Sequence, residues 1–266
     1  MKPYSHFLTP SGKAAIAQAP PYHYGADYLP MYFRSNPQKL QQFLPDQLRV
    51  TDGSAVAYVS DFVCTASEED LGAPYSDPAQ SSYREAAIGI RCSYRGTPGI
   101  YYPFMWVDRD WSLIRGWSLG YAKKVADDIR MTRLHKLTPH VPYFGPGVKL
   151  SGYCTRHGDR LLSISMEIKR KASSKDLISS PHVYAFRHFP VNTEGQTEVR
   201  ELVEVEKENT RIGDEEMWYG EGELRLGNSP NEELEEIDPI LPLYAVYYQI
   251  GFTNTGAKVL EKIEPS

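Results

Sequence analysis

The chain has 266 residues and a formal net charge of −5, with 41% hydrophobic and 24% charged residues. This composition is typical of a globular protein, and the small negative charge argues against a nucleic-acid partner. No apolar run approaches the ~18 residues that cross a bilayer, so we expect no membrane association. Residues 1–12, MKPYSHFLTPSG, lack the apolar core of a signal peptide, which predicts a cytoplasmic protein.

Metal-binding and disulfide patterns are missing from the sequence. Cys64, Cys92 and Cys154 are far apart and form no CxxC pair, and the seven histidines form no HxxxH or HxH pair. We therefore predict three reduced cysteines and no metal site. The 19 tyrosines, against nine phenylalanines, favour half-buried β structure.

The first elements in chain order are an arm and a short helix. Residues 1–30 are rich in proline and tyrosine without periodicity, which predicts an N-terminal arm. In the next segment Asn36 can cap a helix and Pro37 suits its first position, and the helix should end at Pro45. A second helix of this kind is predicted at 229–237, with Ser229 as its cap.

Most of the remaining chain shows strand patterns. In 161–170, for example, apolar and polar residues alternate without a break. Residues 95–99, RGTPG, predict the turn of a hairpin, and Pro103 predicts an edge strand or a bulge just after it. The segments predicted as strands are 54–63, 84–94, 100–108, 126–134, 147–155, 161–170, 221–226 and 241–253.

Turns recur about every ten residues, helices are few and short, and no long linker divides the chain. We therefore predict an α+β protein that is mainly antiparallel β, with a few short flanking helices. All 266 residues should form one domain.

Two lysines stand in an unusual setting in GYAKKV, residues 120–125. The preceding segment predicts a helix that Asp110 caps and that begins at Trp111, carries Leu113, Ile114 and Trp117 on one face, and ends near Tyr121. Lys123 would then lie just past the helix end, where its side chain can point into a closed core.

A buried lysine at this position could act as a nucleophile. A lysine amine ordinarily has a pKa of about 10.4, and burial among apolar groups can lower it towards neutrality. Neighbouring residues point to different sides of a strand or helix, so we expect burial to matter more than the charge of Lys124. The alternative is a pair of solvated surface lysines.

Several segments, in this order, resemble the acetoacetate decarboxylase-like superfamily. The lysine pair falls in one of them, which looks like the family's RG-x-x-x-G-(F/Y)-P-K-K segment. The segments are MYFRSNPQKLQQFLPDQL, YREAAIGI, RGWSLGYAKKVADDIRMTR, EMWYGEGELRLGNSPNEELEEIDPI and YYQIGFTNTG. Together they extend over residues 30–256.

The resemblance implies both a fold and a site. The family fold is a closed β cone or barrel that encloses an apolar cavity, usually in a homo-oligomer, and the implied substrate is a small keto acid with no cofactor. Carried over by position, Lys123 is the Schiff-base lysine and Lys124 its companion. Arg34 matches an arginine that lines the family's site, and Glu85 matches a strand glutamate.

The sequence also departs from the family pattern. Ala122 replaces the proline that usually precedes the lysine pair. Trp117 stands where true acetoacetate decarboxylases have a glutamate, and Leu119 where many relatives have glutamine. The second acidic residue of the classical site has no clear match, and Asp61 is the nearest candidate. These differences put acetoacetate itself in question as the substrate.

Three hypotheses about function follow. In the first, Lys123 forms an imine with a β-keto acid and decarboxylates it, with Glu85 as proton shuttle and Arg34 binding the substrate carboxylate or holding Glu85. In the second, the same lysine acts on pyruvate as an aldolase-dehydratase, or in a related cyclase or hydratase reaction. In the third, the cone binds a small molecule without catalysis. Either Tyr247 or Tyr248 could place a hydroxyl in the cavity.

Overall fold

The structure, a computed structural model, describes residues 16–18, 20–66, 72–133, 144–178, 180–190 and 197–264. Its strands are β1 (Tyr22–Arg34), β2 (Leu48–Thr65), β3 (Ser82–Tyr94), β4 (Thr97–Val107), β5 (Lys123–Val125), β6 (Asp128–Met131), β7 (Lys149–Arg156), β8 (Asp159–Lys171), β9 (His182–Pro190), β10 (Thr197–Leu226) and β11 (Leu241–Lys262). Its α-helices are α1 (Pro37–Gln41), α2 (Ala73–Ser76), α3 (Pro78–Ser81) and α4 (Asp110–Leu119). Two 3₁₀ helices cover Ser174–Asp176 and Leu234–Ile237.

The strand pairings form a ring. The order runs β11-β1-β2-β3-β4-β9-β10, and β10 pairs in turn with β11. The strands β8, β7 and β6 continue from β10, and β5 pairs with β4. Every pairing is antiparallel except those that β4 makes with β5 and β9. The predicted class, mainly antiparallel β with few short helices, is confirmed.

Tight turns set the register of the hairpins. Arg95 and Gly96 connect β3 to β4 with φ of 48° and 86°, and His157 and Gly158 connect β7 to β8 with φ of 53° and 83°. Two successive residues of positive φ fit a two-residue hairpin turn. The hairpin predicted around residues 95–99 is therefore confirmed.

Pro103 lies at a break in the pairing of β4. Residues 99–101 of β4 pair with β9 and residues 105–107 pair with β5, and the register with β3 shifts between Ile88 and Ile90. A residue without an N–H fits this gap because no hydrogen bond is needed there. The predicted bulge is confirmed, although β4 is an internal strand.

Each face of the ring carries its own apolar core. The inner core holds Tyr58, Ala87 and Val203, among others. The outer core lies under β7, β8 and α1, and holds Val59 and Trp106. Since side chains alternate along a strand, neighbouring residues belong to different cores.

Three local predictions were wrong. Residues 22–30, assigned to the arm, belong to β1, and residues 1–15 of that arm lie outside the described part of the chain. The apolar content of 22–30 alternates through tyrosines, and Gly25 and Pro30 hide that pattern. The predicted helix at 229–237 is only a turn followed by the 3₁₀ helix Leu234–Ile237.

The third wrong prediction concerns α4, whose expected apolar face is not the buried one. The buried residues include Ser112, Arg115 and Gly116 instead, while Trp117 is exposed. Arg115 is buried because its guanidinium lies 4.8 Å from the ring of Tyr22 and 4.6 Å from that of Trp111. In the described part of the chain, no helix is long and apolar enough to cross a membrane.

Candidate active site

A cavity of about 480 Å³ lies on the inner face of the ring. Its wall is largely aromatic, and the residues that supply the rings are Tyr24, Tyr28, Tyr32, Tyr58, Phe62, Tyr83, Tyr102, Tyr121, Tyr248 and Phe252. Burial raises the pKa of Tyr28, Tyr83 and Tyr121 well above the usual value, so their hydroxyls stay protonated. Many of the tyrosines that the composition singled out therefore serve this one cavity.

Lys123 reaches into the cavity from β5. It is 7% exposed, and its Nζ lies 2.6 Å from Glu85 Oε2 and 3.4 Å from Ser112 Oγ. The amine also lies 5.4 Å from the ring centre of Tyr83 and 6.0 Å from that of Tyr121. The lysine is thus enclosed by aromatic groups and held by one carboxylate.

Gly116 makes room for the lysine chain. A Cβ added to Gly116 would lie 2.5 Å from Lys123 Cδ and 2.6 Å from its Cε. The helix α4 can therefore pack against the aliphatic part of Lys123 only because residue 116 has no side chain. A glycine at this point of the motif has a direct structural reason.

Glu85 is itself held in place from a second side. It lies on β3 and is 4% exposed, and its Oε1 accepts a 2.6 Å hydrogen bond from the Tyr58 hydroxyl. Burial, and then the charge of Glu85, raise the pKa of Tyr58 well above the usual value. Tyr58 is therefore a permanent donor, and it leaves Oε2 of Glu85 directed at Lys123.

Lys124 lies on the opposite face of β5. Its Nζ is 2.7 Å from Oε2 of the buried Glu232, which also accepts hydrogen bonds from Trp106 and Arg156. The structure therefore places Lys124 in an ion-pair network of the outer core, outside the cavity.

Trp117 supports the lysine segment, whereas Leu119 belongs to the cavity wall. The indole of Trp117 is 41% exposed, and its Nε1 donates a 2.8 Å hydrogen bond to the carbonyl of Lys123. Leu119 is buried and lines the cavity. Trp117 thus contacts the backbone of Lys123 without entering the cavity.

The two tyrosines near the end of the chain separate in the same way. Tyr248 lines the cavity, whereas Tyr247 donates a hydrogen bond of 2.9 Å to Asp27 and belongs to the outer core. Tyr248 is therefore the tyrosine that faces the cavity.

Arg34 and Asp61 are not brought to the site. Arg34 is the last residue of β1, two positions beyond the lining residue Tyr32, and its side chain is exposed. Asp61 faces outward and pairs with Arg84 at 3.7 Å and Arg133 at 3.0 Å. The structure therefore assigns neither residue to the group around Lys123.

Sequence reasoning missed four polar residues of the site. Tyr58, Ser112, Arg91 and Lys207 contact Lys123 or Glu85 or line the cavity. The position of Tyr58 on an alternating strand was the only signal available in advance. Among the described residues, no group of three or more His, Cys, Asp or Glu is placed to bind a metal.

The ring of strands around a buried lysine places the chain in the acetoacetate decarboxylase-like fold. The sequence model described as acetoacetate decarboxylase (ADC) matches residues 5–263. The chain therefore belongs to the acetoacetate decarboxylase family. No curated protein matches the chain.

Solved structures agree with that assignment. An acetoacetate decarboxylase-like enzyme from Sphingomonas wittichii RW1 is 39% identical over 97% of this chain and 98% of its own, with a TM-score of 0.91. The enduracididine biosynthesis enzyme MppR, in complex with the condensation product of pyruvate and imidazole 4-carboxaldehyde, is 22% identical over 98% and 97%, with a TM-score of 0.86. Acetoacetate decarboxylase from Legionella pneumophila is 15% identical over 98% and 92%, with a TM-score of 0.77.

Proposed function

We propose that this protein is a lyase that forms an imine between Lys123 and a small keto acid. The observation that carries the proposal is the 2.6 Å contact between Lys123 Nζ and Glu85 Oε2 inside an aromatic cavity. A lysine amine and a proton acceptor at this distance are the two groups that imine formation requires.

Glu85 would accept and donate the protons that imine formation transfers. Transfer of a proton from the Lys123 ammonium to Glu85 gives a free amine without changing the net charge of the cavity. The amine attacks the carbonyl carbon, and the C=O electrons move onto oxygen. One proton of the positively charged nitrogen then transfers to that oxygen, which gives a neutral carbinolamine. Glu85 then protonates that hydroxyl, which leaves as water, and an iminium ion remains. Tyr58 keeps the carboxylate oriented throughout.

Two reactions can start from the iminium ion. With a β-keto acid, the bond to the carboxylate breaks, its electrons flow to the iminium nitrogen, and carbon dioxide leaves. Protonation of the enamine and hydrolysis then release a ketone. With pyruvate, loss of a methyl proton gives an enamine whose carbon attacks an aldehyde, and the aldehyde oxygen takes up a proton. Loss of that hydroxyl as water gives an unsaturated iminium ion, and its hydrolysis frees Lys123 and releases an unsaturated keto acid.

The volume of the cavity favours the pyruvate reaction. About 480 Å³ falls within the range of sites for drug-sized ligands and exceeds the needs of a four-carbon acid. Aromatic walls also suit a flat ring on the aldehyde. The resemblance to MppR, which was solved with a condensation product of pyruvate and an aldehyde, supports the same choice at the level of fold.

Borohydride trapping tests the proposal. The protein is incubated with pyruvate, acetoacetate or a 4-aryl-2-keto-3-butenoic acid, reduced, digested and analysed by mass spectrometry. We expect an adduct on Lys123 that is absent in Lys123→Ala. Release of carbon dioxide from acetoacetate would indicate decarboxylation, and consumption of an aldehyde with pyruvate would indicate condensation. Absence of an adduct with all three acids would refute the imine and leave a non-catalytic binding cone.

A further inference from the structure

A second lysine, Lys207, lines the cavity from another strand of the ring. Lys207 lies on β10, two residues beyond Val205, which belongs to the inner core together with Val203. The register between β10 and β11 shifts between Glu206 and Lys207, where Lys207 pairs with Asn254. A bulge can re-aim a side chain, and Lys207 and Asn254 both line the cavity.

The amine of Lys207 is available for a ligand. Its Nζ lies 4.7 Å from the ring centre of Phe252, and no carboxylate pairs with it in the part of the chain that the structure describes. Lys207 keeps more than a third of its surface accessible, and it lies where the cavity meets a neighbouring groove. Its accessible surface therefore faces an enclosed space in which a substrate can lie.

The charges of Glu85 and Lys123 act on the pKa of Lys207. The pKa of Lys207 is lowered to about 8, mainly by burial; the charge of Lys123 adds to this shift and the charge of Glu85 opposes it. At pH 7 the amine is therefore still mostly protonated. An ammonium group that lines the same cavity as the nucleophile can bind an anionic part of the molecule that Lys123 attacks.

The other cations are unsuitable for that task. Arg34 does not line the cavity, and Lys123 is the nucleophile itself. Arg91 also lines the cavity, but Asp52 lies 3.8 Å from its guanidinium. Arg91 is six residues from Glu85 along β3, a separation of about 20 Å. Among the described lining residues, this leaves Lys207 for the carboxylate.

We propose that Lys207 binds the carboxylate of the keto acid whose carbonyl carbon reacts with Lys123, and that it thereby selects keto acids over neutral ketones. This inference rests on the proposed imine chemistry. It gives Lys207 the role of carboxylate partner that the sequence had offered to Arg34.

A saturation series tests the role of Lys207. The yield of reduced adduct on Lys123 is measured against the concentration of pyruvate, and separately of acetone, which has the same carbonyl group but no carboxylate. We expect Lys207→Met to raise the half-saturating pyruvate concentration by about 10- to 100-fold, as for loss of a charged hydrogen bond. The maximum yield and the acetone curve should not change.

Two variants serve as controls. Lys207→Arg keeps the charge and should remain within about threefold of the unmodified protein. Lys258→Met removes a lysine that lines only the neighbouring groove, and it should have no effect.

Three results would overturn the inference. They are a Lys207→Met half-saturation for pyruvate within twofold of the unmodified protein, an equal shift for acetone, or an adduct on Lys207 itself. With normal trapping on Lys123, each of these refutes the role of Lys207 and leaves the imine proposal standing. Absence of any adduct in the unmodified protein would refute both.

Discussion

Lys123 and Lys124 are adjacent in the chain, yet their amines lie on opposite faces of β5 and bind different buried glutamates. Lys123 contacts Glu85 at 2.6 Å in the cavity, and Lys124 contacts Glu232 at 2.7 Å in the outer core. The side-chain alternation of a strand is sufficient to separate them. The second lysine therefore acts on the stability of the fold, and its charge lies outside the cavity.

Lys124→Met should lower stability without affecting trapping. Glu232 would lose one donor and keep those from Trp106 and Arg156, so we expect a loss of about 1–3 kcal/mol in the free energy of unfolding. Denaturant titration measures this loss, and the yield of adduct on Lys123 should stay unchanged. A large drop in trapping by the folded variant would show that Lys124 acts on the nucleophile after all.

Glu85→Gln should slow imine formation by about 10²- to 10⁴-fold, because the amide cannot accept the proton of Lys123. The rate of adduct formation at saturating pyruvate measures this effect. Tyr58→Phe is the milder comparison, since it removes one hydrogen bond and keeps the carboxylate. We expect about a tenfold decrease for Tyr58→Phe, and equal rates for Glu85→Gln and the unmodified protein would exclude Glu85 as proton shuttle.

Gly116→Ala should displace the nucleophile and leave the fold intact. The added Cβ would meet the flexible end of Lys123 at 2.5–2.6 Å, and moving that amine by about 1 Å can cost 10²-fold in rate. The rate of adduct formation on Lys123 and the midpoint of thermal unfolding are both measured for this variant. Gly25→Ala is the matched control, because a Cβ there would meet no atom within 4 Å. Normal trapping in Gly116→Ala would contradict the packing described here.

The pKa of Lys207 should respond in opposite directions to two substitutions. Glu85→Gln removes a charge that raises this pKa and should lower it below about 8, whereas Lys123→Met removes a charge that lowers it and should raise it. NMR titration of ¹³C-methylated lysines measures both shifts. If both substitutions shifted the pKa of Lys207 in the same direction, the charges of Glu85 and Lys123 would not act on Lys207 as described.

The lowered pKa of Lys207 predicts how the free energy of unfolding depends on pH. Lys207 has a pKa of about 8 in the folded chain against 10.5 for an ordinary lysine, so between these values the unfolded chain binds more protons. The free energy of unfolding contributed by this group should therefore rise as the pH increases from about 8 to 10.5. Lys207→Met should remove that part of the slope, and an unchanged slope would contradict the lowered pKa.

Local patterns predicted much of this protein. Alternation identified β3 and β8, Asn36 caps α1 as expected with its side chain accepting from Gln38, and the break at Pro103 was predicted. Such features depend on residues close together in the chain. The first part of β1 was missed because its local pattern is weak, and the helix predicted at 229–237 is only a turn and a short 3₁₀ helix.

The sequence by itself determined the family, the class of fold and the candidate nucleophile Lys123, because ordered motifs and strand alternation are written in neighbouring residues. Only the tertiary structure decided what surrounds that amine. Glu85 is 38 residues away in the chain and Lys207 lies on another strand of the ring, while Arg34 ends exposed. Closure of the ring and the bulges in its register set these distances, and both depend on pairings between strands that are remote in sequence.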